Sequence, residues 1–116
     1  MSLLDSQYLE FDQPFDEAWE LVQQCLSTSS QSGFEWRIED DKEARQITAT
    51  TEIGNAFQIQ RQLILQLVFS DNSDKKRLDI HYMVVPMRNI EPALAIFQRF
   101  REQLESAFCA KLTAYQ

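Results

Sequence analysis

FQIQRQLILQLVF, the run Phe57–Phe69, sets apolar residues at Phe57, Ile59, Leu63, Leu65, Leu67 and Phe69, and glutamine at Gln58, Gln60, Gln62 and Gln66. Successive side chains of a β-strand point to opposite faces, so a two-residue period of this length predicts a strand with one face buried and the other wet. Only Arg61 interrupts the apolar row. Downstream, Leu78, Ile80, Tyr82 and Val84 continue the row on a second strand, Leu78–Val85, with Asp79, His81, Met83 and Val85 turned outward. Upstream, Ile47, Ala49, Thr51 and Ile53 form an inward row against Thr48, Thr50 and Glu52. Before them, Phe34, Trp36 and Ile38 alternate with Glu35, Arg37 and Glu39 in a half-buried strand, and Asp40–Arg45 turns the chain.

Directly opposed residues of an antiparallel pair share a face, which restricts how these strands can be joined. A three-residue loop at Gly54-Asn55-Ala56 pairs Ile53 with Phe57, Thr51 with Ile59, Ala49 with Arg61 and Ile47 with Leu63. Gly54 or Asn55 supplies the left-handed residue that such a loop requires. By the same reasoning Ile38 lies opposite Ile47, and Trp36 flanks Ala49 from the other side.

The remaining elements are a short first strand, Gln7–Phe11, and two helices. Phe15, Ala18, Trp19, Val22 and Leu26 recur at helical spacing, so Asp16–Leu26 is an amphipathic helix with Trp19 facing the core. Pro14 suits its start, and Asp16, Glu17 and Glu20 complement the positive end of its dipole. Ser27–Gly33 reads as a polar loop. A longer stripe, Ile90, Ala93, Leu94, Phe97, Phe100, Leu104, Phe108 and Leu112, predicts a C-terminal helix over Ile90–Leu112, with Asn89 and Pro92 marking its start. The whole chain, 1–116, is therefore expected to be a single α+β domain: one antiparallel sheet in the order β-α-β-β-β-β-α, with the long C-terminal helix packed across one face.

That order resembles the TATA-binding-protein-like fold and the helix-grip family of polyketide cyclases, plant pathogenesis-related proteins and lipid-transfer START domains. The local run Phe11, Pro14, Asp16, Ala18 and Trp19, followed by Gly33 and a strand, is also similar to the start of the outer-membrane assembly lipoprotein BamC. The resemblance implies a curved sheet gripped by a long helix; it is one of topology and assigns no functional residue.

The 116 residues carry a formal charge of −7, with twelve acids against three bases in residues 1–60 and six against eight in residues 61–116. A net-negative domain repels phosphate backbones and anionic lipid, so neither nucleic acid nor membrane is expected as a partner. Lys75-Lys76-Arg77, with Asp71, Asp74 and Asp79 around it, reads as a solvated turn. Cys25 and Cys109 form no CxxC pair and both fall on predicted helices, which suits reduced thiols in a cytoplasmic protein. Met1–Phe11 contains Asp5 and Glu10 and lacks the apolar run of a secretory leader.

Catalytic patterns find no support. His81 has no ligand-type neighbour at metal-binding spacing, neither cysteine has a visible histidine partner, and no Gly-x-Ser-x-Gly elbow occurs. With two glycines twenty-one positions apart there is no phosphate-binding loop. Glu39-Asp40-Asp41-Glu43 lacks the ligand spacing of a calcium loop and reads as a solvated turn. No cofactor is expected, and the chain is expected not to be an enzyme.

Two sets of residues stand as candidates. Arg61 in an apolar row must meet a carboxylate, solvent or a ligand anion, because an unpaired buried guanidinium is too costly. Either it snorkels to a surface carboxylate, or with Trp36, Tyr82 and Trp19 it lines a pocket between sheet and helix for a small apolar acid. The second set is the outward sheet face, where Ile64, Val68, Met83, Val85, Gln60 and Gln62 form an uncharged, partly apolar surface suited to self-association or a protein partner. Association through that face is the leading expectation. A ligand carrier using the sheet–helix cleft and a small acidic chaperone of the kind that holds secretion substrates are the alternatives.

Overall fold

The computed structural model describes residues 3–29, 35–53, 61–72, 75–85 and 91–114. In chain order the elements are β1 (Leu3–Phe11), α1 (Phe15–Ser29), β2 (Arg37–Asp41), β3 (Gln46–Ile53), β4 (Arg61–Asn72), β5 (Lys75–Val85), α2 (Glu91–Phe108) and β6 (Thr113–Ala114). The strands form one antiparallel sheet of six, ordered β2-β3-β4-β5-β1-β6. The α+β class and the helix across one face are as the periodicity requires, with β6 added at the edge.

The alternation in β4 and β5 decides which face is buried. Leu63, Leu65, Leu67, Phe69, Leu78, Ile80, Tyr82 and Val84 all lie in the core, joined by Leu9 and Phe11 of β1 and Ile47 and Ala49 of β3. Both helices pack on this face. Trp19 of α1 reaches Phe69 with ring centroids 5.7 Å apart. Along α2, Phe97 stacks on Tyr82 at 3.9 Å and Phe108 meets Phe11 at 5.5 Å. Fully buried Phe100 and Leu104 lie between them on the same stripe. Among the described residues no helix contact to the opposite face is seen, so one side of the sheet is left open.

Several expectations are corrected. In the β3–β4 pair, Ile53 lies opposite Arg61, Thr51 opposite Leu63, Ala49 opposite Leu65 and Ile47 opposite Leu67. The register has slipped four residues from that of a three-residue loop; residues 54–60, Phe57, Gln58, Ile59 and Gln60 among them, lie outside the described residues. An even slip leaves every side chain on its expected face, so alternation cannot detect it. The observed register sets β3 against the most apolar part of β4, Leu63–Leu67, and places Leu65, rather than Arg61, beside Ala49.

The β2–β3 turn also shifts, with Ile38 opposite Ala49 and Asp40 opposite Ile47. Arg45 closes this turn at φ 58°, and its carbonyl accepts a 2.9 Å hydrogen bond from the Phe69 amide. All of β2 is exposed rather than half-buried, because it is the edge strand, and Ile38 is 39% exposed. Trp36 precedes the strand and tilts against Phe100 with centroids 6.3 Å apart; Phe34 lies outside the described residues.

At the other end, α2 stops at Phe108, four residues short of Leu112. Cys109 adopts φ 52°, the Ala110 amide donates to the Glu105 carbonyl at 3.2 Å, and the Leu112 amide donates to Glu105 Oε2 at 2.8 Å. These bonds satisfy the end of the helix and turn the chain back along β1 as β6. Leu112 is buried all the same, so its place in the apolar stripe misreads the route and not the burial. The N-terminal helix runs longer than expected, through Ser29. Lys75, Lys76 and Arg77 belong to β5 and not to a turn: Lys76 Nζ donates to the carbonyls of Asp12 and Gln13 at 3.3 and 3.2 Å, closing the β1–α1 corner.

Candidate functional site

The open face is built row by row from residues directly opposed across the strands. Ile64 faces Met83 and Gln62 faces Val85, so four of the expected interface residues form one block on the two central strands. Thr50 extends the Ile64–Met83 row onto β3. Val68 stands two rows away, opposite Asp79, and Gln60 is outside the described residues. Between block and Val68 runs a polar row, Thr48–Gln66–His81–Ser6, drawn from β3, β4, β5 and β1. Ile64, Met83, Val85 and His81 are each half-buried by their neighbours in the sheet.

The contribution of β1 to this face is the part that periodicity missed. Its pairing with β5 sets Ser6 beside His81, with Ser6 Oγ 2.8 Å from His81 Nδ1, and sets Tyr8 beside Asp79. Arg77 lies over the Tyr8 ring, 4.3 Å from its centroid, while Lys75 pairs with Glu10 at 3.3 Å. Partial burial raises the Asp79 carboxyl above its ordinary value, and the nearby Arg77 and His81 charges oppose that rise. Alternation placed Asp79 and His81 outward, but nothing local in the sequence names a partner strand seventy-five residues away.

The four residues proposed to line a pocket are not gathered into one. Trp19 belongs to an aromatic cluster with Phe15 at 5.6 Å and Phe69 at 5.7 Å. The Arg61 backbone is eight residues from Phe69 along β4, about 26 Å at a strand's rise of ~3.3 Å per residue. Its side chain is outside the described residues. Tyr82 and Trp36 do converge, on Phe97 and Phe100 of neighbouring turns of α2. A separate groove of about 270 Å³ runs between α1 and α2 past Cys25 and Gln103 and includes none of the four. Burial pushes the Cys25 thiol up to about 11, which keeps it protonated and unreactive at neutral pH.

No protein-family model matches the chain, and neither does any curated protein sequence. Among solved structures it is similar to a protein from Nitrosospira multiformis, with a TM-score of 0.53 and 10% identity over 89% of this chain and 94% of the other. Proteins from Thermus thermophilus and Cytophaga hutchinsonii follow, with TM-scores of 0.45 and 0.42, identities of 8% and 11%, and coverage of 90% and 87% of this chain and 96% and 88% of theirs. The first likeness is one of fold alone. Among the described residues no helix is long and apolar enough to cross a membrane.

Proposed function

We propose that this protein is a non-enzymatic association domain whose open sheet face pairs with the same face of a second copy. The observation that carries the reading is the block Gln62, Ile64, Met83 and Val85, uncharged and set on the two central strands, towards one end of the face opposite both helices. Area supports it: five strands at a spacing of about 4.8 Å, each about nine residues long at ~3.3 Å, present roughly 700 Å², close to the ~800 Å² per partner of a standard interface. A second copy is the occupant the shape suits: two sheets pack well face to face in an aligned manner, and a two-fold rotation lays this face on its own copy.

Sedimentation equilibrium from low to high micromolar concentration tests the reading, with Ile64→Lys and Met83→Lys beside the parent chain. Both positions are half-buried on the open face, so a lysine can reach water from either without disturbing the core. The parent chain is expected to dimerise and each variant to remain a folded monomer. A parent chain that stays monomeric at high micromolar concentration would overturn it.

A further inference from the structure

We infer that β2 is a releasable strand: it leaves the sheet as a unit while the rest of the fold stays intact, and Asp40 is the residue that keeps its hold weak. The inference stands apart from the association reading and concerns the edge of the sheet.

β2 runs along the outside of β3, with no strand beyond it among the described residues. All five of its residues, Arg37–Asp41, are exposed. Its pairing places Ile38 opposite Ala49 and Asp40 opposite Ile47, and opposed residues share a face. Ala49 and Ile47 are fully buried, so the two β2 positions on the core side hold one isoleucine, itself 39% exposed, and one carboxylate. The hydrogen bond of Asp40 agrees with that direction: Gln23 of α1, a helix packed on the core side, donates to Asp40 Oδ2 at 3.0 Å. An apolar side chain at this position would lie against Ile47, whereas the carboxylate reaches away for water and for an amide at the surface. Inward-pointing charge keeps edge strands from lasting pairing with a further chain, and here it also loosens the grip of β2 on the core.

The other tie to α1 is equally wet. Lys42, in the β2–β3 turn, pairs with Asp16 at 3.0 Å, but the two side chains are 53% and 82% exposed, and such ion pairs hold little. The flanks are held far better. Before β2, Trp36 packs on Phe100; after it, Arg45 lies over the Phe15 ring, 4.7 Å from its centroid, and its carbonyl takes the Phe69 amide. A stretch with few buried apolar contacts and solvent-exposed backbone bonds, fixed at both ends, is the kind that opens locally. Release is therefore confined to the strand and its turn, and it leaves the backbone of β3 from Gln46 to Thr50 as a bare edge.

Native-state hydrogen exchange of the whole chain, followed amide by amide, tests this in the parent chain, Asp40→Val and Asp40→Asn. In the parent, amides bonded between β2 and β3 are expected to exchange at least about 100-fold faster than those bonded between β4 and β5, at rates that low denaturant leaves unchanged. Asp40→Val, which sets a strand-favouring apolar side chain against Ile47, is expected to slow the β2–β3 amides about tenfold and to leave the β4–β5 amides as they were. Asp40→Asn, still polar and still able to accept from Gln23, is expected to exchange like the parent. Parent β2–β3 amides protected as well as those of β4–β5 overturn the release. Amides that Asp40→Val fails to slow, or that Asp40→Asn slows as much, overturn the role of Asp40.

Discussion

Thr51 shows how far a single position can be read. Its alternation places it inward, and it is 1% exposed opposite Leu63. A threonine hydroxyl buried there needs an acceptor, yet among the described residues Oγ1 finds no hydrogen-bond partner. Leaving a hydroxyl unsatisfied in the core costs about 1–3 kcal/mol, and valine has nearly the same shape without the polar atom. Thr51→Val should therefore raise stability by about 1 kcal/mol in urea unfolding; a loss of similar size would mean that the hydroxyl is bonded. The cysteines separate by the same logic of burial. Cys25 is buried with its thiol pushed up to about 11, whereas Cys109 is exposed beyond the end of α2. In the native protein at pH 8, a thiol reagent should label Cys109 promptly and Cys25 only on unfolding. Equal rates would contradict the placement of Cys25 between the helices.

At the scale of the element, faces were legible and registers were not. A period of two tells which side of β3, β4 and β5 is buried, but a slip of two or four residues leaves that pattern untouched. The observed pairing of Ile47 with Leu67 could not be told from Ile47 with Leu63 by polarity alone. The end of α2 was hidden for a different reason. Leu112 keeps the apolar spacing, while the break is made by Cys109 at φ 52° and by Glu105, which accepts bonds at both its carbonyl and its carboxylate. A left-handed residue just beyond a helix is normally glycine, whose lack of a Cβ removes the strain. Cys109→Gly should accordingly stabilise the chain by about 0.5–1 kcal/mol, read as a higher thermal midpoint with unchanged secondary structure. A lower midpoint would show that the cysteine side chain contributes more than the backbone strain costs.

For the molecule as a whole, the α+β class and the open face follow from one-sided polarity: the strands bury one row and the helices one stripe, so the simplest burial stacks both helices on the same side. The candidate site was legible only in part. Ile64, Met83, Val85 and Gln62 could be placed on the open face from β4 and β5, and the structure gathers them into one block. Alternation set Tyr8 on the side of the first strand away from Leu9 and Phe11, but Ser6 lay outside the expected strand, and the pairing of β1 with β5 that brings both beside Asp79 and His81 is made by chain topology, which no local pattern encodes. The aromatic residues proposed for a pocket were instead distributed along the core: Trp19 sits with Phe69 near one end of β4, and Tyr82 with Phe97 under α2. A mixture of isotope-labelled and unlabelled copies, examined for magnetisation transfer between chains, reports directly on what the open face touches. The account predicts intermolecular contacts from the methyl groups of Ile64 and Met83. Contacts confined to helix residues such as Leu94, or none at high micromolar concentration, would contradict it.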